Sequence, residues 1–216
     1  MAENDTFCST RVAADIMCEF MEVAIHTVLY MRGIYPSRVF SKRKKYNVPV
    51  QICQHPDVLK YVENIVEGMK CLLSENEMEK VVIVVTGEKQ KPLERFVFDI
   101  APSGQAGTQS DKYLFRLESS LRGFLLKLNV CDAMLTPASQ EKTWTVHIHT
   151  KESAAAKLEQ KALTQNFPWV EVDEDQLTLQ KPNLVPLKAT TSDLIKMQLY
   201  VEEASNKVEA SNKDTG

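Results

Sequence analysis

Apolar and small side chains recur at three- and four-residue steps between residues 11 and 35: Val12, Ile16, Phe20, Val23, Thr27, Tyr30 and Ile34. That spacing puts them on one face of a helix. Ile25, Val28 and Leu29 fill the flanking positions, so this helix is expected to be buried on most sides and to sit at the centre of a core. Gly33 and Pro36 end it, since both break helical continuation. The same periodicity returns twice. Val58, Tyr61, Val62, Ile65, Met69 and Leu72 predict a helix over 57–73, and Leu114, Leu117, Leu121, Phe124, Leu125 and Leu128 predict one over 111–129. Between them the pattern changes. Val81 to Val85 are five consecutive β-branched residues, the signature of a buried strand. Leu93 to Ile100 alternate as its returning partner in a hairpin, and Thr143 to Thr150 alternate as a further strand. Residues 37–53 read as extended, and Gln54-His55-Pro56 interrupts the chain. The sum is three helices packed on a mostly antiparallel sheet, an α+β fold.

The last quarter is less regular. Residues 151–166 have helical composition but a thin apolar face, and Phe167-Pro168-Trp169 precede the acidic residues Glu171, Asp173, Glu174 and Asp175. Pro182 and Pro186 punctuate the approach to a strand-like segment, Leu194 to Val201. Residues 1–10 lack an apolar core and are expected to be flexible, and the polar tail 204–216 is expected to be disordered.

Composition narrows the class. A chain of 216 residues, 44% hydrophobic and 25% charged, suits one soluble domain. A net charge of -3 argues against a dedicated nucleic-acid-binding domain, so no direct sequence-specific nucleic-acid binding is expected. Five cysteines, an odd count with no CxxC pair, point to reduced thiols and not to a disulfide frame. No signal peptide is expected, because Met1 to Thr10 carry Glu3 and Asp5 and no apolar core, and no membrane span, because no run approaches eighteen apolar residues.

Candidate chemistry is sparse. His147 and His149 lie two apart on a predicted strand and so share a face. That makes half a metal site at most, and two ordinary strand histidines otherwise. No P-loop, GxGxxG, GxSxG or HExxH occurs, so neither a catalytic residue nor a cofactor is assigned. Lys42-Arg43-Lys44-Lys45 admits three readings: a contact for phosphates, an import signal or patch for an acidic partner, or a charged strand edge that resists aggregation. The aromatic residues near the late prolines are either core or part of a segment that docks on the sheet by strand pairing and releases.

Longer words of sequence carry a resemblance. Cys18-Glu19-Phe20-Met21-Glu22-Val23-Ala24 with Tyr30, Tyr35 and Pro36, then Lys42 to Val50, Lys91 to Phe98, Val130-Cys131-Asp132-Ala133, Phe167-Pro168-Trp169, and Thr191 to Glu203 resemble the HORMA-domain family of mitotic-arrest-deficient-like adaptors. Within it they are similar to the branch of accessory subunits of DNA polymerase zeta. The likeness runs from about residue 11 to 203. It departs from the family in the loop 101–110, with Gly104 and Gly107, and in a longer tail after Glu203.

The resemblance implies a HORMA domain over 11–203 whose part 151–203 is a mobile C-terminal safety belt with a last strand. In the closed form the belt crosses a partner peptide that adds to the sheet. It implies a non-catalytic adaptor in translesion synthesis and double-strand-break repair, acting in the nucleus with a cytoplasmic or spindle pool. The implied partners are the catalytic subunit of polymerase zeta, a Y-family translesion polymerase, a shieldin-type repair factor, an AAA+ remodelling ATPase and a second HORMA domain. By position, Tyr35, Tyr61 and Trp169 match residues lining the peptide channel. Leu184, Pro186, Gln198 and Tyr200 match the surface for the Y-family polymerase, and Lys42, Arg122 and Ala133 match the face on which HORMA domains pair. The alternative within the fold is a spindle-checkpoint regulator of the anaphase-promoting complex.

Overall fold

The first apolar periodicity becomes α1, Ala2–Met31, whose residues Met17, Phe20, Met21, Ala24, Ile25, Val28 and Leu29 lie in the core. The structure is a computed structural model and describes residues 2–102, 111–137, 141–152, 154, 169–172, 178–179, 181–192 and 195–205. The backbone of residues 2–10 belongs to this helix. The acidic composition of that stretch suits the positive end of a helix. At the other end Gly33 takes φ +59, Ile34 N–H reaches Leu29 O at 3.0 Å and Gly33 N–H reaches Tyr30 O at 3.1 Å. This is a Schellman stop, a place where a left-handed residue is needed and glycine supplies it.

The extended stretch after α1 is a separate hairpin, β1 (Phe40–Lys45) against β2 (Val48–Cys53). Its two turn residues, Tyr46 and Asn47, both have positive φ, as a tight two-residue hairpin turn requires. Tyr46 tolerates this because its hydroxyl is held by Ile16 O and Glu19, each at 3.2 Å. α2 spans Pro56–Ser74 with proline in its first turn, and α3 spans Asp111–Val130.

The main sheet is five-stranded and antiparallel: β3 (Met78–Thr86), β4 (Pro92–Pro102), β5 (Thr143–Thr150), β6 (Asn183–Thr191) and β7 (Ile195–Glu203), in spatial order β5-β3-β4-β7-β6. The β3–β4 hairpin and β5 form as their patterns predict. β6 is a correction: its two neighbouring prolines read as punctuation, yet 183–191 is a strand. It is an edge strand, where a proline without an N–H is tolerated. The three helices cover one face of the sheet. Phe20 meets Phe98 and Phe124 edge-on at 6.1 and 6.2 Å, so α1, β4 and α3 join in one core. The expected loop 101–110 begins later than its composition suggested, because Ala101 and Pro102 still belong to β4; its remainder, most of the helical stretch 151–166 and all but the first two residues of the expected tail 204–216 fall outside the described residues.

Candidate functional site

β5 and β6 are the two edges of the main sheet, and they are consecutive strands in the chain. The connection from Thr150 to Asn183 therefore joins opposite edges, four strand spacings or roughly 19 Å apart. Trp169 lies on that connection, and its indole packs against α2 at Gly68. A Cβ added to Gly68 would stand 2.7 Å from Trp169 Nε1. Only a bare backbone at Gly68 lets the indole lie this close to the helix.

Tyr61 sits seven positions before Gly68, two turns along the same helical face. It is 38% exposed and meets the ring of Trp144 edge-on, with centroids 5.3 Å apart. Tyr61 also hydrogen-bonds to Thr145, and burial pushes its phenol pKa up. The Trp144 indole N–H donates to the Tyr35 hydroxyl at 3.0 Å. Trp144 pairs with Val85 across the β3–β5 ladder and so points to the helix-covered face. The three residues expected to line a peptide channel are thus arranged along one trough between α2 and the outer edge of β5. Tyr35 and Tyr61 meet at Trp144, and Trp169 lies about 10 Å further along α2. Trp144, Thr145 and Gly68 were missed from sequence. A glycine in a helix interior, with no turn to serve, was the available signal.

The second expected set also forms one patch. Pro186 and Tyr200 are direct cross-strand partners on β6 and β7, while Leu184 and Gln198 are each two residues away on the same outer face. Leu184 is 55% exposed. Tyr200 packs on Val82, Val84 and Val97, an apolar strip on the face away from the helices. Burial raises its phenol pKa, with Glu202 and Asp99 adding to the effect. The Arg95–Glu202 ion pair, 2.9 Å, borders the patch.

Lys42, Arg122 and Ala133 are all exposed. Lys42 lines a cleft of about 600 Å³ together with Tyr30, Gln51, Asn129 and Asp132. Asn129 Nδ2 donates to Pro49 O at 3.1 Å and so ties the end of α3 to β2. Arg122 lies two turns before Asn129 on α3, and Ala133 follows Asp132. Leu126 and Val130 on α3 and Met134 in the turn after it are exposed apolar residues at four-residue steps, absent from the sequence reading. Lys42, Arg43 and Lys44 are exposed on β1, while Lys45 is ion-paired with Glu19. His147 and His149 lie on the outer face of β5; burial, with Arg95 and His149 nearby, lowers the His147 pKa to about 4.

A buried polar cluster lies where β4 begins and β7 ends. Arg32 donates through Nε to Glu94 at 2.8 Å, bonds the other Glu94 oxygen and Asp132, and reaches Thr136 O at 3.0 Å. Thr136 N–H in turn donates to Glu203, 2.8 Å. Glu203 is the cross-strand partner of Glu94 and the last residue of β7.

A family model described as "HORMA domain" matches residues 13–168. The "Mitotic spindle assembly checkpoint protein MAD2B" of Homo sapiens is 45% identical over 197 residues, covering 91% of this chain and 93% of the relative. The "DNA polymerase zeta processivity subunit" of Arabidopsis thaliana is 31% identical, covering 88% and 85%. Among solved structures, a chain of the mitotic checkpoint complex superposes with TM-score 0.74 at 19% identity, covering 88% of this chain and 97% of that one. The C. elegans protein HTP-2 bound to a HIM-3 closure motif superposes with TM-score 0.69 at 14% identity, covering 91% and 92%. At those identities the structural likeness speaks for the fold.

Proposed function

Because this chain belongs to the HORMA-domain family, we propose that it is a non-catalytic adaptor that captures a proline-containing peptide of a partner and acts as an accessory subunit of DNA polymerase zeta. The observation that carries this is topological. β5 presents an outer edge, and the chain leaving it returns on the opposite edge after passing Trp169 on α2. A strand added to β5 would lie in the aromatic trough and under that connection. Backbone pairing gives only about 0.5–1.5 kcal/mol per hydrogen bond, and stiff aromatic rings suit the apolar faces of proline. The larger effect is on release: a covered strand leaves only when the connection lifts, so affinity appears as a small off-rate.

The name carried by the similar protein of Arabidopsis thaliana supports the polymerase reading. In that reading the catalytic subunit of polymerase zeta, or a shieldin-type repair factor, supplies the peptide. A Y-family polymerase takes the Leu184–Pro186–Gln198–Tyr200 patch, and a second HORMA domain contacts Lys42, Arg122 and Ala133. An AAA+ ATPase reopens the belt, and the site of action is the nucleus. The two patches are on different elements, so both partners can be held together and effective concentration brings the polymerases into one assembly. The checkpoint name of the human relative favours a second reading, regulation of the anaphase-promoting complex.

The deciding experiment is the release rate of a labelled proline-containing segment of the same organism's polymerase zeta catalytic subunit. Trp169→Ala should speed release at least about tenfold, the equivalent of 1.4 kcal/mol. Tyr200→Ala should leave release unchanged while abolishing binding of the Y-family polymerase. A wild-type chain that exchanges the segment within seconds would sink the capture reading.

A further inference from the structure

Trp144 is the second residue of the edge strand β5, and three elements meet on it. Its indole N–H donates to Tyr35, from the α1–β1 connection, and its ring meets Tyr61, from α2. An indole nitrogen has no acceptor capacity. The Tyr35 oxygen must therefore be the acceptor in that bond, and its own O–H is directed elsewhere. Among the described residues no acceptor takes the Tyr35 proton.

A strand added to an edge pairs with it along one side of its backbone. The carbonyls on its other side still need donors once they are covered, because an unmet buried carbonyl is costly. Proline adds to this imbalance, since it keeps its carbonyl and lacks an N–H. A proline-containing strand in the trough therefore presents more acceptors than donors. A phenol proton with no acceptor inside the described fold answers that need.

We infer that Trp144 is a positioning residue of the peptide site, which by donating to Tyr35 turns the Tyr35 hydroxyl into a hydrogen-bond donor for a backbone carbonyl of the captured strand. This rests on the capture reading above and adds the residue that sets the polar chemistry of the trough. It also separates two roles within one aromatic cluster. Tyr61 supplies a ring face, and Tyr35 supplies a proton.

The test is a double-mutant cycle on the full chain. The probe is a short fluorescein-labelled proline-containing peptide selected by display against the wild type, and the readout is its dissociation rate. Trp144→Phe keeps an aromatic ring against Tyr61 and removes the N–H together with one ring of the indole. Tyr35→Phe removes only the hydroxyl. Each should speed release roughly threefold to tenfold, the range of one hydrogen bond. The double variant should be no faster than either single one, because both changes remove the same bond. Rates that multiply in the double variant, or a Trp144→Phe rate equal to wild type, overturn the inference. A second measurement changes the peptide: a thioamide replacing its carbonyl, a weaker acceptor, should reproduce the loss on the wild type and add nothing on Tyr35→Phe. If no thioamide position does so, the inference also fails. A wild type that does not retain the oxygen peptide at all brings down the capture reading itself, which distinguishes the two failures.

Discussion

His26 lies in the fully buried face of α1, and neither ring nitrogen has a hydrogen-bond partner among the described residues. Burial lowers its pKa from 6.5 to about 4. The unfolded chain takes up this proton near pH 6.5 while the folded chain refuses it until near 4, so stability is lost as pH falls through that window and is flat below it. The shift corresponds to about 3 kcal/mol at most. His147 titrates in the same window but is only half buried, so its share is smaller. His26→Leu should flatten the pH dependence of the denaturant midpoint between pH 4 and 6.5; an unchanged slope would place the acid sensitivity elsewhere. At this scale sequence was informative about type and blind to partner. The helical face carrying His26 was legible from its period, and Tyr35, Tyr61 and Trp169 came from the family resemblance. Trp144 was invisible as an organiser because its bond to Tyr35 joins residues 109 positions apart.

The elements show where pattern fails for a physical reason. α1, α2, α3 and β5 follow their periods because each buries one face against the same core. β6 did not register, because an edge strand with one exposed face and a proline carries neither an unbroken apolar run nor clean alternation. α2 carries a different kind of information at Gly68. Replacing glycine within a helix normally adds about 1 kcal/mol of stability, but here a side chain would meet the Trp169 indole. Gly68→Leu should leave the thermal midpoint near wild type or raise it, shift tryptophan emission to the red, and speed peptide release about tenfold. If release is unaffected, Trp169 does not depend on α2 for its position.

For the whole molecule, the Arg32 cluster links the end of α1, β4, the turn after α3 and the end of β7. Glu94 has no exposed surface. Arg32→Ala would take the cation from a buried carboxylate, and a loss of roughly 3–5 kcal/mol is expected, read from the denaturant midpoint. Glu203→Ala should be milder globally and should raise amide exchange selectively in β7 and β6, because it removes the bond that ties the end of β7 to Thr136. Uniform exchange across the sheet would show that the last hairpin has no separate stability. None of this network was legible in sequence. Its members are scattered charged residues whose meeting is decided by the tertiary fold.

The strand order has one consequence in time. Arg95 and Glu202, an ion pair across β4 and β7, are 107 positions apart, and β6 and β7 follow every other element in the chain. Contacts this distant form late. While the chain is being translated, the helices and β3–β4–β5 can assemble with the far edge of β4 still uncovered, and a partner strand can reach β5 before the last hairpin has docked. Occupancy would then depend on when the two proteins meet and not on affinity alone. A partner segment present during cell-free translation should end up held by a larger fraction of chains than the same segment added after synthesis is complete; equal fractions would mean the docked hairpin reopens freely.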